Sequence, residues 1–209
     1  MNQPSGIVRP ADSDFAMPSL RLDGRVAVVT GGSRGLGLGI ALALAHAGAD
    51  ISIVGRSDET LQGAASLVRS AGRAGLAIRA DLADEDAPAA IVKQALDHFG
   101  RLDIVVHAAG VNVRQPATAF TRSQWTAVMR LNVESAFFLA QAAQPGMRDQ
   151  AYGRIICVTS VAAGHAIPNT SVYGMSKAAL EQMVRALALE WAAHGITVNA
   201  LAPAGSGRP

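Results

Sequence analysis

A single cysteine, Cys157, is all the 209-residue chain carries, which excludes an intrachain disulfide and a thiolate metal centre. It stands in an apolar run and reads as a small core residue, not a nucleophile. Lysine is almost as scarce, with only Lys93 and Lys177. The arginines are scattered and the net charge is +2, so no nucleic-acid surface is expected. No run of about eighteen apolar residues occurs, so no membrane span is expected. The five histidines (His46, His98, His107, His165 and His194) show no ligand spacing, and no metal is expected. Residues 1–20 mix Pro, Ser, Asp and Arg without an apolar core, which predicts a flexible leader instead of a signal peptide and a cytoplasmic protein.

What is abundant points elsewhere. Half of the residues are hydrophobic while aromatics are only 4%, a composition suited to one closely packed α/β domain over residues 21–209. Short β-branched runs are expected as strands at 25–30, 51–54, 76–80, 102–107, 154–159 and 196–201. Between them, helical patterns are expected at about 35–47, 58–71, 84–99, 123–143 and 173–194, the first ended by Gly48 and the third bearing Pro88 in its first turns. Strict alternation predicts a doubly wound parallel sheet with right-handed crossovers, a Rossmann-like single domain.

Two stretches carry chemistry. Between the first strand and first helix lies Gly31-Gly32-Ser33-Arg34-Gly35-Leu36-Gly37. Glycines there let the backbone bend tightly and approach a pyrophosphate at a helix N-terminus. Further on, Ser160 precedes a loop broken by Gly164 and Pro168, and Tyr173 and Lys177 follow one helical turn apart. An ammonium beside a phenol favours the phenolate, which is the use such a pair has in acid-base chemistry. Ser160, delivered by the strand before it, can bind the same substrate oxygen.

The G-x-x-x-G-x-G spacing together with Tyr173-x-x-x-Lys177 makes the chain resemble the short-chain dehydrogenase/reductase family, over about Leu20 to Pro203. Asp81, Ala108-Ala109-Gly110, Asn132, Ser160 and the stretch Asn199 to Pro203 fall in the expected order. The resemblance implies that Tyr173 is the general acid/base, that Lys177 holds the nicotinamide ribose, that Ser160 orients the substrate oxygen and that Asn132 keeps a water in the proton relay. Asp81, with Leu82 beside it, would contact the adenine; Gly31, Ser33, Arg34, Gly35, Leu36, Gly37, Ala108, Ala109, Gly110 and Pro203 would complete the cofactor site. Family members are usually homotetramers or dimers, built through their long helices.

The second strand ends Val54-Gly55-Arg56, with a cation where NAD-binding chains usually place an acid for the ribose 2′-OH. Arg56, with Arg34 in the turn, suits a 2′-phosphate, so NADP(H) is expected and NAD(H) is the less favoured cofactor. The stretch His107 to Ala117 looks like that of gluconate 5-dehydrogenase-type members, which implies a sugar acid or polyol as small-molecule substrate, with Arg114 as a candidate to approach a carboxylate. Two other readings remain open: a reductase of carrier-bound 3-ketoacyl groups, and a nucleotide-binding remnant without catalysis. Two departures from the pattern stand out. His107 replaces the usual Asn, which predicts a weakened backbone bond between the central strands. After Pro203 the chain continues only Ala204 to Pro209, which predicts that a C-terminal strand and a substrate lid are missing.

Overall fold

The computed structural model describes residues 19–204, so most of the expected leader and the last five residues lie outside it. Six strands form one parallel sheet: β1 (Val26–Thr30), β2 (Asp50–Gly55), β3 (Gly75–Arg79), β4 (Ile104–His107), β5 (Gly153–Val158) and β6 (Ile196–Leu201). Their spatial order is β3-β2-β1-β4-β5-β6. The direction of winding reverses between β1 and β4, and the crevice that such a reversal opens lies at the strands' C-terminal ends.

β1 shows why the sheet is continuous in sequence yet two-sided in space. All five of its residues are buried. Val26 and Val28 pack into one core with α3 (Ala87–Phe99), α5 (Ser135–Asp149) and α6 (Ser171–Trp191), whereas Ala27 and Val29 pack into the other with α1 (Gly35–Ala47) and α2 (Asp58–Ser70). Successive strand residues point to opposite faces, and both faces are covered.

Local signals set several boundaries. Gly48, at φ 114°, ends α1 in the left-handed region and returns its N–H to Leu44 and Ala45 carbonyls. The third helix begins at Ala87 and not at Asp84, because Pro88 belongs at its first positions and 81–84 form a turn closed by Asp84 N–H to the Asp81 carbonyl, 3.0 Å. The expected helix over 123–143 corrects to three pieces: α4 (Arg122–Met129), a π-helical turn (Arg130–Glu134) and α5, which continues through Pro145 to Asp149. Pro145 and Gln141, whose carbonyl the proline cannot serve, both face solvent, so water can take the lost bond.

At the N-terminal edge of the sheet, buried Asp103 accepts from Val26 N–H at 3.0 Å, from Arg25 at 2.8 Å and from Arg101 at 2.7 and 2.8 Å. Burial works to raise the Asp103 pKa, but the Arg101, Arg25 and Val26 hydrogen bonds outweigh it and hold the carboxyl below its usual range. Arg25 and Arg154 also stack on the Tyr152 ring, 3.7 and 4.2 Å from its centroid. This clamp joins the strands at the end opposite the crevice.

Candidate active site

Two adjoining cavities open at the C-terminal ends of the strands. One, of about 510 Å³, is lined by Gly31, Ser33, Arg34, Gly35, Leu36, Gly37, Arg56, Asp81, Leu82, Ala108, Ala109 and Gly110, with Ser57 and Thr60 beside Arg56. The other, of about 340 Å³, is lined by Val111, Asn112, Val158, Thr159, Ser160, Tyr173, Lys177 and Pro203. Leu36, Ala108 and Gly110 border both. Every expected catalytic and cofactor-binding residue lines one of the two, except Asn132, which lies fully buried. Arg114 is exposed and lines neither.

The glycine turn is shaped by contact, not only by conformation. A Cβ at Gly37 would stand 2.3 Å from the Gly31 carbonyl oxygen, and one at Gly31, where φ is +63°, would stand 3.0 Å from the Ala109 backbone. Arg34 is the N-cap of α1 and makes no side-chain capping bond, so the first-turn N–H groups face the larger cavity without a protein acceptor from that cap. A side-chain-free cradle, a helix N-terminus and two guanidinium groups fit a dinucleotide pyrophosphate and its adenosine end.

Arg56 is largely exposed and lies 4.0 Å from an Asp81 oxygen. The other Asp81 oxygen accepts the Ala83 N–H at 3.0 Å, so Asp81 closes the turn before α3 while also lining the cavity.

Lys177 is only 4% exposed. Its Nζ donates to the Val158 carbonyl at 2.7 Å and lies 5.7 Å from the Tyr173 ring centroid. Burial pulls the ammonium down to about 8. Ser160 caps a short 3-10 turn, accepting the Ala162 N–H at 3.2 Å, and its hydroxyl proton remains available to a substrate oxygen.

Asn132 accepts the Val111 N–H at 2.8 Å, and its Nδ2 donates to the Val111 carbonyl and to Ser176 Oγ, each at 3.0 Å. Ser176 Oγ donates in turn to the Tyr173 carbonyl at 2.7 Å. Ser176 was not among the residues expected from the sequence to serve the site. A serine in the middle of an apolar helix, immediately before Lys177, was the available signal.

His107, the departure noted in β4, does not open the strand pairing: it stands in register with Thr30 on one side and Cys157 on the other. Burial, with a further contribution from the Lys177 charge, pushes the imidazole down to about 3. The unfolded chain takes up a proton here near pH 6.5 and the folded one does not, so stability is lost as pH falls from 6.5 toward 3. Unfolding free energies from urea titrations between pH 7 and pH 4 should fall less steeply in His107→Gln, by up to ~1.4 kcal/mol per pH unit. Cys157 is buried, and its thiol is pushed up to about 12.

Residues 25–207 match the short chain dehydrogenase family. The chain belongs to that family. A hydroxynaphthalene reductase of Aspergillus fumigatus is 41% identical over 191 residues, 89% of this chain and 68% of the relative. The crystal structure of a gluconate 5-dehydrogenase from Burkholderia cenocepacia, in complex with NADP and tartrate, superposes with a TM-score of 0.84 at 36% identity, covering 89% of this chain and 73% of that one. An NAD+-bound xylitol dehydrogenase gives the same TM-score at 32% identity, covering 88% and 72%. This short chain dehydrogenase is therefore an oxidoreductase with a nicotinamide cofactor and a small-molecule substrate. No helix among the described residues is long and apolar enough to cross a membrane.

Proposed function

We propose that this short chain dehydrogenase interconverts a ketone and a secondary alcohol of a sugar acid or polyol, using NADP(H). The observation that carries the reading is the convergence of Ser160, Tyr173 and Lys177 on one cavity that continues into the glycine-turn cavity. The cofactor, when bound, supplies or accepts the hydride at the substrate carbon. Tyr173 gives or takes the proton at the substrate oxygen, Ser160 donates a hydrogen bond to that oxygen, and Lys177 presents a cation one helical turn below the phenol. Gluconate and xylitol dehydrogenases among the structural neighbours support a polyhydroxylated substrate. The hydroxynaphthalene reductase supports a second reading, a fused-ring aromatic ketone. Exposed Phe137 and Phe138, which with Met183, Leu187 and Trp191 line a groove between α5 and α6, support self-association through those helices.

NADP(H) preference rests on Arg34 and Arg56, and on the cation that stands where an acid would hold the ribose 2′-OH. Fluorescence titration should show tighter binding of NADPH than NADH. Arg56→Asp should weaken NADPH by roughly 30-fold and leave NADH within a few-fold, since a charge-assisted bond to phosphate is worth ~1.5–3 kcal/mol. An unchanged ratio would overturn the assignment. Substrate class is decided by steady-state rates on keto-sugar acids, β-ketoacyl thioesters and fused-ring ketones. Turnover of the thioesters or the aromatic ketones alone would defeat the sugar-acid reading.

A further inference from the structure

Asn132 reaches the site from inside a helix, and its aim depends on how that helix is wound. In the turn Arg130–Glu134 the Ser135 N–H bonds to the Arg130 carbonyl, five residues back. An α-helix would have given that N–H to Leu131. The Ser135 hydroxyl takes its place, donating to the Leu131 carbonyl at 2.7 Å. A hydroxyl has one proton, so Ser135 Oγ can meet His107 Nε2, 2.9 Å away, only as an acceptor. The imidazole therefore carries its proton on Nε2, and Nδ1 is left buried with no hydrogen-bond partner among the described residues. Such an atom carries a desolvation cost that an apolar residue at 107 would avoid. Little slack surrounds the arrangement: a Cβ at Gly110 would stand 3.3 Å from Asn132 Oδ1 and 3.5 Å from Lys177 Nζ.

We propose that His107 and Ser135 form a buried positioning pair. His107 Nε2–H anchors the Ser135 hydroxyl, the hydroxyl caps Leu131, and the cap holds the π turn that aims Asn132 at Val111 and at the first turns of α6. The pair links the end of β4 to the helix that carries Asn132, and through Ser176 to the backbone of Tyr173. Its effect on turnover rests on the oxidoreductase reading above, whereas its effect on Asn132 does not.

The Val111 N–H, bonded to Asn132 Oδ1, reports where Asn132 points. Amide exchange followed by NMR on the labelled full chain is the primary test, with Val28 in the central strand as the control for folding. Ser135→Ala, His107→Leu and Asn132→Ala should each speed Val111 exchange about tenfold while Val28 stays protected. His107→Gln, whose amide can donate as Nε2–H does, should stay within about threefold of wild type. Ser135→Ala combined with Asn132→Ala should exchange no faster than either alone, because both act through one contact. With any ketone of the panel that wild type reduces, Ser135→Ala should lower kcat about tenfold and leave KM and NADPH affinity within threefold. Val111 exchange within twofold of wild type in Ser135→Ala, or effects that multiply in the double variant, would overturn the pairing. An unchanged kcat beside faster exchange would remove its role in the reaction. If wild type reduces no ketone, the substrate reading fails, and the exchange measurements still decide the pair. Should Ser135→Ala lose Val28 protection, His107→Leu against His107→Gln makes the same comparison.

Discussion

Tyr173→Phe is expected to lower kcat about a thousandfold while leaving NADPH affinity within about twofold. The substitution removes one oxygen from the wall of the cavity and leaves the ring, which keeps α6 packed as it is. General acid-base groups contribute roughly 10²- to 10⁴-fold, so the middle of that range corresponds to ~4 kcal/mol of barrier. Nothing else on that wall substitutes well. The Lys177 ammonium is turned toward the Val158 carbonyl at 2.7 Å, and Ser160 Oγ accepts the Ala162 N–H, which leaves it one proton to donate and no base to restore it. Steady-state kinetics on the preferred ketone, with a nucleotide titration alongside, measures both quantities. A loss of kcat below tenfold would mean that proton transfer runs through another group.

Gly37→Ala is expected to weaken dinucleotide binding by at least about a hundredfold and to lower the melting temperature by about 5–10 °C. The new methyl would stand 2.3 Å from the Gly31 oxygen and 2.8 Å from its carbonyl carbon, and both are backbone atoms with no rotamer to yield. The turn must open, which moves the α1 N-terminus away from the place of a pyrophosphate. Overpacking of this kind costs ~1–3 kcal/mol, which sets the scale of the melting shift for a chain of this size. Gly39, one half-turn further along α1, is the built-in comparison, because a Cβ there meets nothing within 4 Å. Gly39→Ala should bind nucleotide normally and melt slightly higher, as Gly-to-Ala changes in helix interiors do. Calorimetry and fluorescence titration on the two variants separate a steric cause from a general intolerance of α1.

Much of this architecture could be read before any coordinates. The strands were legible because a parallel strand buried on both faces is a continuous apolar run, as 26–30 and 51–54 are. Gly31, Gly35 and Gly37, and the pair Tyr173 and Lys177, were legible because their geometry is local: a turn that excludes side chains, and one turn of helix. The features that escaped are those imposed from a distance. Nothing in Arg130-Leu131-Asn132-Val133-Glu134 announces a π turn, since its contacts are with His107 at the end of β4 and with Val111 just after it. The run to Asp149 was hidden by Pro145, which is ordinarily a helix breaker and is tolerated here on a solvent-facing side. At His107 the sequence suggests a weakness in strand pairing, whereas its backbone pairs normally and its ring does the unusual work. Asp81 shows a local use that its place after the third strand did not announce, with one oxygen closing a turn and the other toward Arg56.

The parallel register of β1 with β4 has a consequence during synthesis. Ala27 pairs with Ile104, and the Gly31 turn is completed by Ala108 and Ala109, so the first three strands alone offer a nucleotide only half a cradle. Dinucleotide therefore meets a complete cradle only once the chain through Gly110 has been made. It acts afterwards, by mass action on the finished sheet, where a hundredfold excess over Kd adds ~2.7 kcal/mol against unfolding. A cell's nucleotide pool would in this way govern how long the finished molecule survives proteolysis, and not how it first folds.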